Sequence, residues 1–324
     1  MRHMGILLSF CCVLLLGQLS AANTAHAEDY PTRPIKILVG FPAGSGADIV
    51  TRYFAGKMQE AAGETVVVEN KPGANGNIAM GLATRAKPDG YTVLFSSNST
   101  IVAGKLLYKD LGFDPQADIV PAGLFSETTF ALVVPPNSPD ATVDDLTRRL
   151  KGSDRAKYGF ANQVSQVAAE YYKSLAGVAA VPVSYRSGSD ALNDLASGAL
   201  DFVFIDGTFG SGQVRAGKVK ALAVTTTKRH PIFGDTPTMQ ELGWKDFDFS
   251  AWWGAYLPAG TPPEIIERIG GWMNKISASD ETRAFLERVA GRPLVSDTSA
   301  ARARIAAETV RWTAAVKAAG IKPQ

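Results

Sequence analysis

Two loops carry the residue types that could hold a small charged molecule. The first, "FPAGSGADIV" (Phe41 to Val50), sets Gly44, Ser45 and Gly46 between the apolar run "IKILV" and a helix-like pattern beginning at about Ala47. The second, "SSNSTIV", places Ser96, Ser97, Asn98, Ser99 and Thr100 after another strand-like run, "YTVLF". A turn from strand to helix leaves the first helical N–H groups unpaired at the positive end of the helix dipole. It therefore attracts a carboxylate or phosphate without needing a cationic side chain. Ser45 and Asp48 form an S-x-x-D capping pattern. That makes Ser45 the expected N-cap, free to touch a ligand as well, and makes Asp48 a carboxylate that favours the helix start instead of facing an anion.

Three chemistries compete for the first loop. A dinucleotide pyrophosphate needs G-x-G-x-x-G, with an acidic residue for the ribose after the next strand. Gly44 and Gly46 fit, but Ile49 stands at the third position and Glu69 runs on into the turn "ENKPGANGN". A catalytic serine needs a histidine partner and a G-x-S-x-G elbow, and the chain contains no such elbow. The third reading, a pocket for a smaller anion, asks only for what the loop has.

Residues 1–27 differ in composition from the rest. Arg2, the apolar run "GILLSFCCVLLLG" and the small-x-small pattern of Ala25 and Ala27 read as a secretory signal peptide cleaved before Glu28. The run is shorter than the roughly 20 residues that span a bilayer. Its removal takes both cysteines, His3 and His26, and leaves His230 as the one histidine. Thiol nucleophiles, disulfides and zinc–thiolate sites are thereby excluded from the expected mature chain, for which neither cofactor nor metal is expected. His230, followed by proline, is read as a surface residue. With 324 residues, 20% of them charged, and a formal net charge of +2, the chain is too balanced for a nucleic-acid binder.

These loops need a scaffold of alternating strands and helices, and the sequence supplies one. "IKILVGF", "TVVVEN", "YTVLFSS", "FALVVPP", "KYGFAN", "AAVPVSY", "LDFVFID" and "VKALAVTT" read as strands. Helical patterns such as "IAMGLATRA", "DDLTRRL", "SQVAAEYYKSLAG" and "SDALNDLASGA" fall between them. This is the pattern of α/β layers with largely parallel sheets. The alternation stops near residue 230. Beyond "FSAWWGAYLPAGTPP" the chain reads as mostly helical, with Ile305, Thr309, Trp312 and Val316 on one face of a terminal helix.

The blocks "YPTRPIKILVGFPAGSGADIVTR", "VVVENKPGANGNIA", "KPDGYTVLFSS", "VPVSYRSGSDALNDLASGALDFVF", "TPTMQELGW" and "GAYLPAGTPPEIIERI" occur in one order over nearly all of the mature chain. In this it resembles the Bug or TctC-type periplasmic solute receptors of tripartite tricarboxylate transporters. Two departures fall where ligand would be read: "FPAGSG", where many members read F-P-P-G-G, and "FANQVSQVAAEYY", where relatives often carry a glycine- and serine-rich stretch with a histidine.

The resemblance implies a two-lobe α/β clamshell of the type II periplasmic binding protein kind, with a discontinuous first lobe. Residues 28–127 plus 248–324 would form lobe one and residues 128–247 lobe two. It implies a monomeric, non-catalytic receptor whose partners are a small carboxylate and the membrane subunits of the transporter. A ligand-presenting subunit for a sensor kinase is the alternative, and an exported hydrolase a remoter one. The two lobe-one loops would pinch a carboxylate through backbone N–H groups and bridging waters, drawing in Gly44, Ser45, Gly46, Ala47, Ser96, Ser97 and Asn98. From lobe two, Asn162, Ser165 and Gln166 would read the distal end. Arg186 with Ser187 is either a rim residue or a clamp. Asp206 ends a strand as a turn residue or a contact, and Phe41 packs on a ligand body or in the core. The ligand stays open among aliphatic di- and tricarboxylates, acidic amino acids, nicotinate-like acids and aromatic dicarboxylates such as terephthalate.

Overall fold

The computed structural model describes residues 30–323, and the expected signal peptide, with its cleavage point, lies outside the described residues. In chain order the first elements are β1 (Ile35–Val39), α1 (Gly46–Ala62), β2 (Val66–Asn70), α2 (Asn77–Thr84), β3 (Thr92–Ser97), α3 (Asn98–Ile101) and α4 (Ala103–Leu107). The long strand β4 (Ile119–Val134) leads to α5 (Val143–Lys151), β5 (Lys157–Phe160), α6 (Gln163–Ala176), β6 (Val181–Ser184), α7 (Gly188–Ala196), β7 (Phe202–Asp206), α8 (Gly207–Arg215) and β8 (Lys220–Val224). The chain closes with β9 (Ser250–Pro258), α9 (Pro263–Ala278), α10 (Asp280–Arg288), β10 (Gly291–Pro293) and α11 (Thr298–Ala318).

Two parallel wings flank an antiparallel centre. β1 pairs with β2 and β3 in one wing, and β5 pairs with β6 and β7 in the other, all in parallel. The inner strands β1, β3, β5 and β7 are largely buried and read as apolar runs, whereas the edge strands β2 and β6 are partly or mostly exposed. On α1, Val50, Phe54, Ala55 and Met58 are buried on one face, and Gly63 ends the helix with φ 71, a left-handed value that glycine adopts at little cost. The centre departs from the largely parallel sheet expected. β4 runs antiparallel to β9 from Ile119 to Thr129, then antiparallel to β7 and β8 from Phe130 onward. One strand thus threads both wings. Single-strand patterning does not encode that pairing direction, since an apolar run suits either.

A buried carboxylate holds this centre together. Glu127, 3% exposed, accepts from Ser250 Oγ on β9 (2.6 Å), Arg304 Nη2 on α11 (2.6 Å) and Arg292 Nε on β10 (2.7 Å). Burial works against its ionisation, but the two guanidinium groups and the serine outweigh it and hold the carboxyl below its usual range.

His230 is half-buried. Its Nδ1 accepts from the Ile232 N–H, its Nε2 lies 3.3 Å from the Gly291 carbonyl, and burial lowers its proton affinity. On α11, Ile305, Trp312 and Val316 are buried as the spacing predicts, and half-buried Thr309 accepts from Gln116. Helix α8, "GTFGSGQVR", escapes a propensity reading because glycine is the poorest ordinary helix former. Its glycines serve packing: a Cβ at Gly207 would meet the Ala290 Cβ at 2.5 Å, and one at Gly210 the Ile205 Cγ2 at 2.6 Å.

Candidate functional site

Between the wings lies a cavity that opens to solvent at its mouth. Strand ends and the loops after them line it, which is where ligands settle in open α/β sheets. Four helices with side-chain caps begin on its wall, as does the short α3 after Ser97. Ser45 Oγ accepts from the Asp48 N–H at 3.3 Å to cap α1, and Asn162 Oδ1 accepts from the Ser165 N–H at 2.9 Å to cap α6. Ser187 Oγ accepts from the Asp190 N–H at 3.3 Å to cap α7, and Asp206 Oδ1 accepts from the Phe209 N–H at 3.1 Å to cap α8. All four caps line the cavity. Each is committed to its own helix, so a bound anion would be read by the first-turn N–H groups and the summed helix dipoles.

The turn into α1 is braced from behind. Asp48 accepts from the Gly44 N–H, Arg52 Nε and Asn70 Nδ2, each at 2.9 Å. Burial opposes its ionisation, and these donors together keep the carboxyl below its usual range. Gly44 has φ +78, the left-handed region in which a Cβ is strained.

Across the cavity the two wings touch at two places. At one, Ser99 Oγ donates to Gln163 Oε1 (2.7 Å) and accepts from the Gln163 N–H (3.1 Å), joining α3 to α6. At the other, Gly46 packs on α8 so tightly that a Cβ there would lie 2.2 Å from Asp206 Oδ1 and 3.0 Å from the Thr208 Cβ.

The walls beyond the helix starts are apolar. Phe41 and Trp253 meet edge to face at 5.9 Å, and Phe130, Val164, Ala191, Val203 and Phe204 complete the lining. Thr128, 2% exposed, shares the cavity face of β4 with Phe130, and its Oγ1 has no hydrogen-bond partner among the described residues. Two charged side chains line the cavity. Arg186 is exposed at the rim and also lines the two hollows that adjoin the mouth. Asp206 sits in the wall, where burial pushes its carboxyl above the usual range against the pull of the Phe209 and Thr208 amides.

The structure brings together Phe41, Ser45, Gly46, Ala47, Ser97, Asn162, Ser165, Arg186, Ser187 and Asp206 from the sequence candidates, and Gly44 stands at the mouth. Ser96, Asn98 and Gln166 do not line the main cavity. Ser96 points to the other face of β3 by strand alternation. Asn98 is fully buried and donates to the Ser250 carbonyl at 2.8 Å, tying the end of β3 to β9. Gln166 lies one turn further along α6 than its cap. The Ser165 hydroxyl lines the cavity but donates to the Phe204 carbonyl. Thr128, Phe130 and Trp253 did not figure among the candidates. The available signal was the alternation within "ETTFALVV" and "SAWWG", which marks strands but not which face meets a ligand.

Two α/β wings around a cavity lined by strand ends and helix starts match the fold of two-lobed solute-binding proteins. The profile of the tripartite tricarboxylate transporter family receptor, TctC, matches residues 50–321. A protein of Pseudomonas sp. (strain P51), described as the UPF0065 protein in the tcbD-tcbE intergenic region, is 30% identical over 300 residues, covering 90% of this chain and 88% of its own. The structure of R. palustris Rpa4515 with adipate matches at 28% identity and TM-score 0.88 over 91% of this chain and all of its own. That of the periplasmic binding protein BugD matches at 30% and 0.85, with the same coverage. The chain belongs to the TctC receptor family.

Proposed function

We propose that this protein is a periplasmic receptor that captures a small organic carboxylate between two lobes and delivers it to the membrane subunits of a tripartite tricarboxylate transporter. It does so as a monomer and performs no chemistry on its ligand. The lobes divide as residues 28–127 with 248–324, and 128–247. The observation that carries this reading is the convergence of four helix N-termini on one cavity between the wings. The adipate in the related R. palustris structure supports a carboxylate. Membrane delivery rests on the family, and export on the leader. Among the described residues no helix is long and apolar enough to cross a membrane.

A ligand that touches both lobes favours the closed form by its differential affinity. The test is a panel of adipate, malate, citrate, benzoate and 4-hydroxybenzoate, followed by thermal melting and small-angle scattering. At about 100 times its dissociation constant, a binding acid should stabilise the protein by about 2.7 kcal/mol and reduce its radius of gyration. No response to any acid, or recovery of a chemically altered compound, would defeat the proposal. Intact mass of protein recovered from the periplasm should correspond to a chain beginning at Glu28, and an uncleaved or lipid-modified species would contradict the export reading.

A further inference from the structure

We infer that Asp206 is a ligand-contact residue that shares a proton with the bound acid, so that capture of the anion takes up a proton from solvent. The inference rests on the carboxylate-receptor reading above and deepens it. Three observations carry it.

The first is position. Asp206 lines the main cavity beside Ser45, Gly46, Ser187 and Gly188, the residues at which α1 and α7 begin. A Cβ at Gly46 would lie 2.2 Å from Asp206 Oδ1, and one at Gly188 would lie 3.9 Å from Oδ2. The carboxyl thus stands between one helix start from each wing, and an anion drawn to those starts comes to rest against it.

The second is the division of labour within the carboxyl. Oδ1 accepts from the Phe209 N–H and caps α8, while no hydrogen bond among the described residues engages Oδ2. The residue is only half-buried, and Oδ2 is not among the side-chain atoms sealed from solvent without a partner. It is the atom left to meet a ligand.

The third is the missing countercharge. On α1, Asp48 is engaged by Arg52; on α7, Asp190 is exposed and accepts from Ser187 Oγ; β4 sets Phe130 opposite Asp206. Arg186, the cation of the lining, is exposed at the rim and does not offset the burial that holds the Asp206 carboxyl above its usual range. A ligand carboxylate placed here adds a like charge, and two such groups settle by holding one proton between them. That proton bridges Oδ2 and a ligand oxygen as a charge-assisted hydrogen bond.

Calorimetry of adipate, malate, citrate, benzoate and 4-hydroxybenzoate between about pH 6 and 9, in paired buffers of unlike ionisation enthalpy, tests this. For each acid that binds, the wild-type enthalpy should change with the buffer in the sense of proton uptake. The carboxyl titrates higher in the complex than in the free protein, so affinity is greatest at low pH and falls by up to about tenfold per pH unit as the proton is lost. Asp206→Asn keeps the size and a residue that caps helices equally well, and it removes the charge. It should bind at least about tenfold tighter than wild type at the alkaline end, without the Asp206 proton. Subtracting its proton count from that of wild type removes any titration of the acid itself, and a cooperative melt of the free variant would show that it is folded. A wild-type enthalpy independent of buffer would overturn the inference while the carboxylate-receptor reading stood, as would a proton uptake that survives in Asp206→Asn or weaker alkaline binding by that variant. If none of the five acids bound at any pH, the receptor reading itself would fall with it.

Discussion

Gly46→Ala should yield a folded protein that no longer closes: its affinity for a bound acid falls by about 100-fold, and its radius of gyration stays at the ligand-free value when the acid is added. Sequence reasoning points to the turn and to close approach of the anion as the reason to avoid a side chain at this position. The structure supplies another reason. Gly46 has an ordinary helical backbone, and alanine is the better helix former, so lobe one alone would accept the change. The obstruction comes from the opposite wing, where the new Cβ would stand 2.2 Å from Asp206 Oδ1. It acts as a wedge in the closed form only. Since the closest obstruction is Asp206 Oδ1, with the Thr208 Cβ next at 3.0 Å, Asp206→Gly in the same chain should restore part of the lost closure, a coupling that a double-mutant cycle measures. Wild-type affinity and closure in Gly46→Ala would show that the wings need not meet at this point for capture.

Glu127→Gln should cost about 2–3 kcal/mol of stability at neutral pH, an effect visible in denaturant or thermal unfolding. The replacement keeps the shape but leaves Arg304 and Arg292 without the charge they flank, and Arg304 remains two-thirds buried. The pH dependence carries a sign. The folded carboxyl titrates below its usual range, so the stability it contributes is fully present above the unfolded value of about 4.3. That contribution is lost as pH falls through the folded value. The gap between wild type and Glu127→Gln should therefore be widest near pH 7 and shrink below about pH 4. A gap that stayed constant down to pH 3 would mean that the ion pairs contribute nothing and that packing alone accounts for the loss.

Local signals made much of the architecture legible. Apolar runs marked the parallel wings, and the S-x-x-D pattern placed the start of α1 within a residue, with Ser45 as its cap. What stayed hidden depends on contacts distant in sequence. Nothing in "SSNST" shows that Asn98 turns inward to Ser250, or that Ser99 meets Gln163 across the cavity. The helix over "GTFGSGQVR" stayed hidden because the reason for its glycines, close packing on Ile205 and Ala290, is tertiary. Family resemblance reached further than local pattern, because ordered blocks carry the whole topology together.

The four capping side chains have an evolutionary consequence. Because Ser45, Asn162, Ser187 and Asp206 cap their own helices, the proposed grip on the anion would fall to main-chain N–H groups of the first turns, which among side-chain substitutions only proline removes. Under the proposed function, selectivity would reside in separate strand positions that line the cavity, such as Phe130 and Trp253. Drift at those positions can exchange one nutrient for another while the grip on the acid group persists, so duplicated copies of such a gene can diversify without passing through a form that binds nothing.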